Sequence, residues 1–502
     1  MTRARTVAAA SVAAAGLAGS LPYWLPRRVV ALRGAIFTLV NGAEGTPVLD
    51  RPDGRADFLR VYGDPAAGGR SHGAGLSDLF WYWLAPGPQV HQEHLEPGPR
   101  YDQAARCTRA ILASRTKAQW AGLVARCTAR VLEEQAAAGA LDGVVRLRDL
   151  MMPVWAEAYY ELVFAEPCPR FARDLIVANA DDVVSALKCT RLRHMRRRGR
   201  LTRYLRARIE AGEVPFELPA LLSGAEQAWY LQGAFFNTAI VQMSEGMAHL
   251  LLAIAQHRPV QQRLRGNLDD EEYLACVVNE ALRAWPLFGI AHRITTGPID
   301  VTPPIAPGSV LLFDYPGFHR GDGPAEAFDP ARWERAGTRP ANYIPFGVSA
   351  NRPCPARGVA PVGMHAATRE VLRRYALSSS AAHTRSLANR APAFLRPAAA
   401  PEAPLPRSSP ARSPLPRLLL ARPPLPRPPL PRPPLARLAL LRVADRWADV
   451  WRSLVQLVLG SFMVWDARRL ALCRTYFAQH PEHLPAPAAD RPAGRCPVAG
   501  HH

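Results

Sequence analysis

No Cys-x-x-Cys pair occurs in this chain of 502 residues, and its eight cysteines, at 107, 127, 168, 189, 276, 354, 473 and 496, are widely scattered. That spread argues against both a disulfide framework and a zinc site, and fits a reducing, cytosolic setting. Uninterrupted apolar runs of spanning length are also missing. The N-terminal MTRARTVAAASVAAAGLAGSLPYWLPRR starts basic and turns apolar. Alanine adds little to membrane insertion, however, and Gly and Pro break the run, which disfavours a spanning helix. Residues 1–27 read as a cleaved leader, as a helix on a membrane surface, or as a plain extension. A second apolar run, 454–465, contains Gln456, Gly460 and Ser461 and is too short to cross a bilayer. Strand-like stretches are scarce: 308–313, behind Pro-Pro-Ile-Ala-Pro, is the clearest.

What is present is ordinary globular composition, 48% hydrophobic and 21% charged, over a length that buries a large core. Apolar residues recur at three- and four-residue spacing in 104–115, 118–138, 173–188, 226–256, 269–284 and 361–375. The fold class read from this is mainly α with small β-sheets. The 49 prolines and the net charge of +20 are unevenly placed, and arginine recurs every five residues from 407 to 442, largely in SPLPRLLLARPPLPRPPLPRPPLARLALLR. That period matches neither the roughly 3.6-residue turn of an α-helix nor the roughly three-residue turn of polyproline, so the arginines build no continuous face. An extended linker is expected over 397–442, with docking of PPLPRPP in an aromatic groove as the rarer alternative. Residues 443–480 are expected to be helical, packed on the main domain or lying on a membrane surface, and 481–502 to form a tail.

The chemistry centres on IPFGVSANRPCPAR, where Cys354 follows Arg352 by two residues and precedes an expected helix. Both neighbours are sources of positive potential for a thiolate. Pro353 and Pro355 stiffen the loop and remove two backbone donors. By itself the cysteine reads as a ligand, a nucleophile or a small buried side chain; the nearest downstream histidine, His365, has no orienting acid. Upstream, Glu280 and Arg283 lie three apart on one expected helix face, where they can pair. Pro286, the strand-like Ala-His292-Arg293, and then Phe328-Asp-Pro-Ala-Arg332-Trp333 follow in that order before the cysteine loop.

This ordered set resembles the cytochrome P450 family over residues 28–396. Glu280 and Arg283 match the family's Glu-x-x-Arg motif, and Arg332 in FDPARW matches the arginine that completes its ion network. The resemblance implies a single haem domain carrying haem b, with Cys354 as the axial metal ligand and Glu280, Arg283 and Arg332 locking the ligand loop. Arg352 matches the loop arginine that holds a haem propionate. Arg293 or His292 matches the cation after the Glu-x-x-Arg helix, Arg106 is a further candidate from an early helix, and Phe346 and Gly347 form the turn over the cysteine.

The chain departs from the family's pattern in three places. The ligand loop is one residue longer than Phe-Gly-x-Gly-x-Arg-x-Cys, with Ser349 and Ala350 where the second glycine would fall. The segment 226–256 resembles the long helix over the distal haem face, yet the acid–alcohol pair that delivers protons there is absent. Asn237, Thr238, Gln242, Ser244 and Glu245 are the polar groups on offer, and Gln242, Glu245 and Thr238 are taken as candidate catalytic residues. The early-helix Trp-x-x-x-Arg or His-x-x-x-Arg is missing in clear form.

Other features have blander readings. His91-Gln-Glu-His94 lacks His-Glu-x-x-His spacing and reads as a surface or substrate-loop histidine pair. The basic stretch 191–208 has only Tyr204 as an aromatic, so it lacks stacking residues for nucleic acid and reads as a solvated or membrane-leaning loop. Cys496 has no Phe-Gly turn and is a poor rival ligand.

The activity implied by the resemblance is a monooxygenase inserting one atom of O2 into an apolar small-molecule substrate. Electrons would come from a ferredoxin or flavodoxin-like donor meeting a basic face near Arg352 and Arg357, since the rest of the chain has no flavin or nicotinamide fingerprint. The missing acid–alcohol pair makes a peroxide-dependent or non-oxygenating catalyst the alternative. A degenerate haem-binding scaffold with a partner-recruiting Pro/Arg tail is the third reading. No nucleic-acid partner is expected, and the setting is read as cytoplasmic with peripheral membrane contact through the N-terminal segment.

Overall fold

In the computed structural model of the chain, the described residues are 2–41, 46–48, 55–287, 289–320, 328–335, 342–384, 386–398 and 435–484. The arginine-repeat linker up to residue 434 and the tail with Cys496 lie outside them. The fold is mainly α with two small sheets. Helices are observed at Pro99–Ala113, Lys117–Ala137, Arg170–Leu187, Glu271–Ala284 and Ala360–Arg374, each within a few residues of the sequence expectation. Thr116 shows why one of them starts where it does: its hydroxyl accepts from Gln119 N at 3.2 Å while Gln119 Oε1 accepts from Thr116 N at 2.9 Å. This reciprocal cap satisfies two donors that the first turn leaves open.

The helix Leu147–Phe164 escaped the sequence reading. Nearly every residue on it is buried, including Trp155, Tyr159 and Tyr160. A helix buried all round, with Arg148 and Glu157 among its buried members, has no apolar stripe and therefore no periodic signal. The stretch 191–208 differs from expectation in the opposite sense, for it is not a solvated loop. It folds into the helix Met195–Glu210, and Arg198 is fully buried, bonded to Asp182 Oδ2 at 2.5 Å and to Ala85 O at 2.6 Å.

The central helix runs from Gly224 to Gln256, and by length and mean hydropathy, 1.3, it could cross a membrane, but 83% of its apolar window is buried inside the protein. It is a core helix. Residues Gln232–Ala239 within it form wider, i→i+5 turns, a local form that recurs at functional sites. Two neighbours accommodate the widening. Asn179 Nδ2 donates to Phe236 O at 3.2 Å, and Gly233 lies so close to the His91 ring that an added Cβ would stand 2.1 Å from His91 Cδ2.

The first sheet has the order β1 (Thr46–Val48), β4 (Val310–Asp314), β3 (Ile290–Ile294), with β1 parallel and β3 antiparallel to β4. The second pairs β2 (Val144–Arg146), β6 (Pro392–Pro397) and β5 (Tyr375–Ser378), all antiparallel. Two further helices, Leu435–Leu470 and Leu472–Gln479, follow the linker, so eight residues of the expected linker, 435–442, are helical. Met463, Val464 and Ala467 pack against Leu79, Tyr82 and Cys189 of the body. The N-terminal helix Thr2–Asn41 contains Pro22 and Pro26 and lies along the C-terminal helix, with Arg446 Nη1 donating to Tyr23 OH at 2.8 Å.

If His91 and Gly233 share one space, Gly233→Ala should lower stability by about 1–3 kcal/mol in urea unfolding. Combined with His91→Ala, the loss should be smaller than the sum of the single losses by at least about 0.5 kcal/mol. Additive losses would show that the two positions do not compete.

Candidate functional site

A cavity of about 260 Å³ lies between the central helix, the cysteine loop, β3 and the segment 62–112. Cys354 is on its wall, with Phe346, Gly347 and Pro353 beside it. The loop is closed by Cys354 N donating to Phe346 O at 2.9 Å and Gly347 N to Ile344 O at 3.0 Å. Gly347 takes φ +72°, a left-handed conformation, and a Cβ there would approach Tyr62 OH to 3.1 Å. The extra length of the loop is held by Asn351, whose Nδ2 donates to Tyr62 O, Asp64 O and Ala67 O at 3.1, 3.0 and 3.2 Å. Ser349 accepts from Arg357 Nη1 at 3.1 Å.

Burial pushes the Cys354 thiol above its ordinary range, against the backbone N–H groups of Ala356 and Arg357 and the charge of Arg357. The sequence pointed to Arg352 as the source of positive potential, and the structure puts Arg357 there instead. Arg352 turns away, donating to Leu95 O and Gln92 O, both at 2.8 Å, with its guanidinium 3.5 Å from the centre of the Tyr101 ring.

Behind the loop, Glu280 is fully buried and its carboxylate is saturated. Arg283 donates to it twice, at 2.8 and 2.7 Å, Trp333 Nε1 at 3.0 Å and Asp329 N at 3.0 Å. Arg332 Nε stands 3.5 Å away. The three residues singled out in the sequence therefore meet, and Trp333 and Asp329 complete an arrangement that motif reading could not supply. A buried carboxylate is tolerated only with this degree of pairing.

The cavity's charge is unusual. Arg70, Arg293 and Arg352 all line it, and among the described residues none of them forms an ion pair with a carboxylate. Arg70 is tied to Gly68 O at 2.9 Å, and Arg293 Nη2 donates to Tyr62 OH at 2.9 Å while its buried Nε has no partner. Burial, and then the charges of Arg293 and Arg352, hold Arg70 well below the usual guanidinium range. Three cations gathered without an ion pair among them offer donors to an anionic ligand.

Two other cation candidates lie elsewhere. Side chains of a strand alternate between faces, so Ala291 and Arg293 reach the cavity while His292 stacks on Phe80 at 4.8 Å and bonds Arg70 O at 2.9 Å. Arg106 is exposed on a helix whose Tyr101, Thr108 and Leu112 face the cavity. Arg70 and Tyr101 carried no sequence signal, because what gathers them is tertiary contact.

On the opposite wall, Thr238 and Gln242 of the central helix line the cavity. Glu245 does not: it is buried in an ion cluster with Lys188 at 2.5 Å and Arg148 at 3.3 Å. Asn237 bonds Asn179, and Ser244 is buried away from the cavity. The acid that the helix lacks arrives from another segment. Glu93 lines the cavity, and Thr238 Oγ1 donates to its Oε1 at 2.8 Å. Burial, its largest influence, raises the Glu93 carboxyl above its ordinary range, against the hydrogen bonds of its own backbone N–H and Thr238 and the charge of Arg352. His91 and His94, flanking it, are buried rather than at the surface, and burial drives His91 down to about 3.

No family profile matches the chain. It is 32% identical over 119 residues to a protein named putative cytochrome P450 135B1 in Mycobacterium tuberculosis and Mycobacterium bovis, covering 23% of this chain and 25% of that protein. Over 154 residues it is 27% identical to cytochrome P450 3A12 of Canis lupus familiaris, 26% of this chain and 30% of the relative. The chain thus aligns with about a quarter of the length of the curated relatives it matches. This is a partial likeness to cytochromes P450, and an oxidoreductase is the coarse activity that the relatives' names support.

Several histidines are buried neutral: His91 is driven to about 3, and His292 and His365 to about 4, each chiefly by burial. The unfolded chain takes up protons near pH 6.5 while the native one refuses them, so stability is fully present above about 6.5 and falls as pH drops towards 4. The urea midpoint of the full chain should decline steadily across that window, and more gently in His292→Phe. A flat profile would mean that these rings are solvated.

Proposed function

We infer that the chain is a haem-thiolate monooxygenase acting on an apolar small molecule. The carrying observation is the placement of the Cys354 thiol and three arginines, none in an ion pair among the described residues, around one largely apolar cavity. The residues suit haem b: one sulfur ligand, guanidinium groups to meet two propionate carboxylates, and aromatic and aliphatic walls at Phe346, Leu112, Phe235 and Leu287. When bound, haem would supply reductive activation of O2 and transfer of one oxygen atom to the substrate.

The protein's own groups have distinct tasks in this reading. Cys354 would hold the iron as a thiolate, which the N–H groups of Ala356 and Arg357 favour. The bonds from Asn351 and the Glu280 cluster keep the loop from shifting when the sulfur is loaded. Phe235 and Met243 exclude water and shape the substrate side. Glu93, its carboxyl raised by burial, and Thr238, whose hydroxyl donates to it, form a relay that passes a proton into the cavity, with Gln242 as the neighbouring hydrogen-bonding group. The reaction balances as substrate C–H plus O2, two electrons and two protons, giving the alcohol and water. A one-electron ferredoxin or flavodoxin-like carrier supplies the electrons at the face where Arg357 is exposed. The Glu93–Thr238 pair favours O2 over peroxide as the oxidant, because it restores the proton delivery that the central helix alone lacks.

The reduced protein should give a carbon monoxide difference band of the thiolate type that Cys354→Ala abolishes; the same band in that variant would sink the haem-thiolate reading. Glu93→Gln should keep the band but slow donor-driven turnover by about a hundredfold, while peroxide-driven turnover, needing no proton delivery to O2, persists. Unchanged donor-driven turnover would remove Glu93 from the relay and leave the haem assignment standing.

A further inference from the structure

The C-terminal helix Leu435–Leu470 is anchored to the body on one side only. Asp445 accepts from Ala382 N at 2.9 Å and Asn389 Nδ2 at 3.1 Å, Gln456 Nε2 donates to Lys188 O at 2.9 Å, and Leu441, Val450, Met463 and Val464 are buried. The other side carries Leu440, Val443, Trp447, Trp451, Leu454, Val458, Phe462 and Trp465, all 37% to 69% exposed. Their spacing of three and four residues puts them within a sector of about 100°, in one stripe of about 38 Å. A row of this length with three tryptophans is far more than the scattered apolar residues of an ordinary surface.

Charge decides what covers it. The helix has six arginines against Asp445, Asp449 and Asp466, and each aspartate is already paired, the first two with Arg452 and the third with Arg469. The segment 397–434 before it adds six arginines and one acid. A second copy of the helix would set like charges against each other and offer no acidic flank for the complementary pairing that joins two such helices. An anionic lipid surface answers both features at once, taking tryptophans at headgroup depth and arginines against phosphate.

We propose that the Trp447–Trp451–Trp465 face of the C-terminal helix docks the protein on an anionic lipid bilayer, the helix lying in the membrane plane without crossing it. The N-terminal helix packed alongside also exposes Trp24, Val30, Arg27 and Arg28. This surface is independent of the haem reading.

The test is cosedimentation of the full-length protein with vesicles of phosphatidylcholine alone or mixed with phosphatidylglycerol. Binding should need phosphatidylglycerol, weaken as salt rises, and shift tryptophan emission to the blue. The combined Trp447→Ser, Trp451→Ser and Trp465→Ser variant should bind at least roughly tenfold more weakly with an unchanged circular dichroism spectrum, since the three positions face outward. Equal binding to phosphatidylcholine, binding to neither vesicle, or undiminished binding by the triple variant would overturn the proposal. So would a wild-type dimer that the triple variant dissolves and that forms in place of vesicle binding.

Discussion

Three guanidinium groups drawn into one cavity, none of them ion-paired with a carboxylate among the described residues, are the constraint on which the rest of the site depends. Burying one cation is expensive and gathering three adds their repulsion. The protein offsets this with dipoles: Gly68 O for Arg70, Leu95 O and Gln92 O for Arg352, the Tyr62 hydroxyl for Arg293. Carbonyls and hydroxyls orient cations but do not neutralise them, and the proposed haem reading would set two carboxylates against these three arginines.

The reverse solution is used a short way behind the loop, where one carboxylate is surrounded by donors. Glu280 receives hydrogen bonds from Arg283, Trp333 and the Asp329 backbone. A carboxylate so saturated has no tendency to move, and it holds Asp329 and Trp333 against the helix Glu271–Ala284. Asn351 holds the ligand loop from the front, through three backbone carbonyls. The loop's extra residue is thus absorbed by an anchored turn, and rigidity is kept where a regular glycine is missing.

Across the cavity, the central helix trades regular hydrogen bonding for reach. Its wide turns and the Gly233 gap let the chain at His91 pack directly against it, which carries Glu93 to Thr238. In the proposed mechanism, that acid reaches the cavity through packing rather than through a motif. The C-terminal helix extends the same economy to location: one face is spent on the body, and the other is left for the lipid surface proposed for it.

The sequence by itself determined the mainly α fold class and most helix positions, because amphipathic spacing is a local property. It also singled out Cys354, Glu280, Arg283 and Arg332, whose order along the chain is distinctive. It had no means of finding Leu147–Phe164, where full burial erases periodicity. Nor could it find Arg70, Tyr101, Asn351 and Glu93, whose partners lie far away in the chain. Arg106, His292 and Glu245 were candidates by residue type, but helix phase, strand alternation and a competing ion cluster turn them away from the cavity. Which side chains share a cavity is a matter of three-dimensional contact, and contact between distant segments is settled only when the whole core packs.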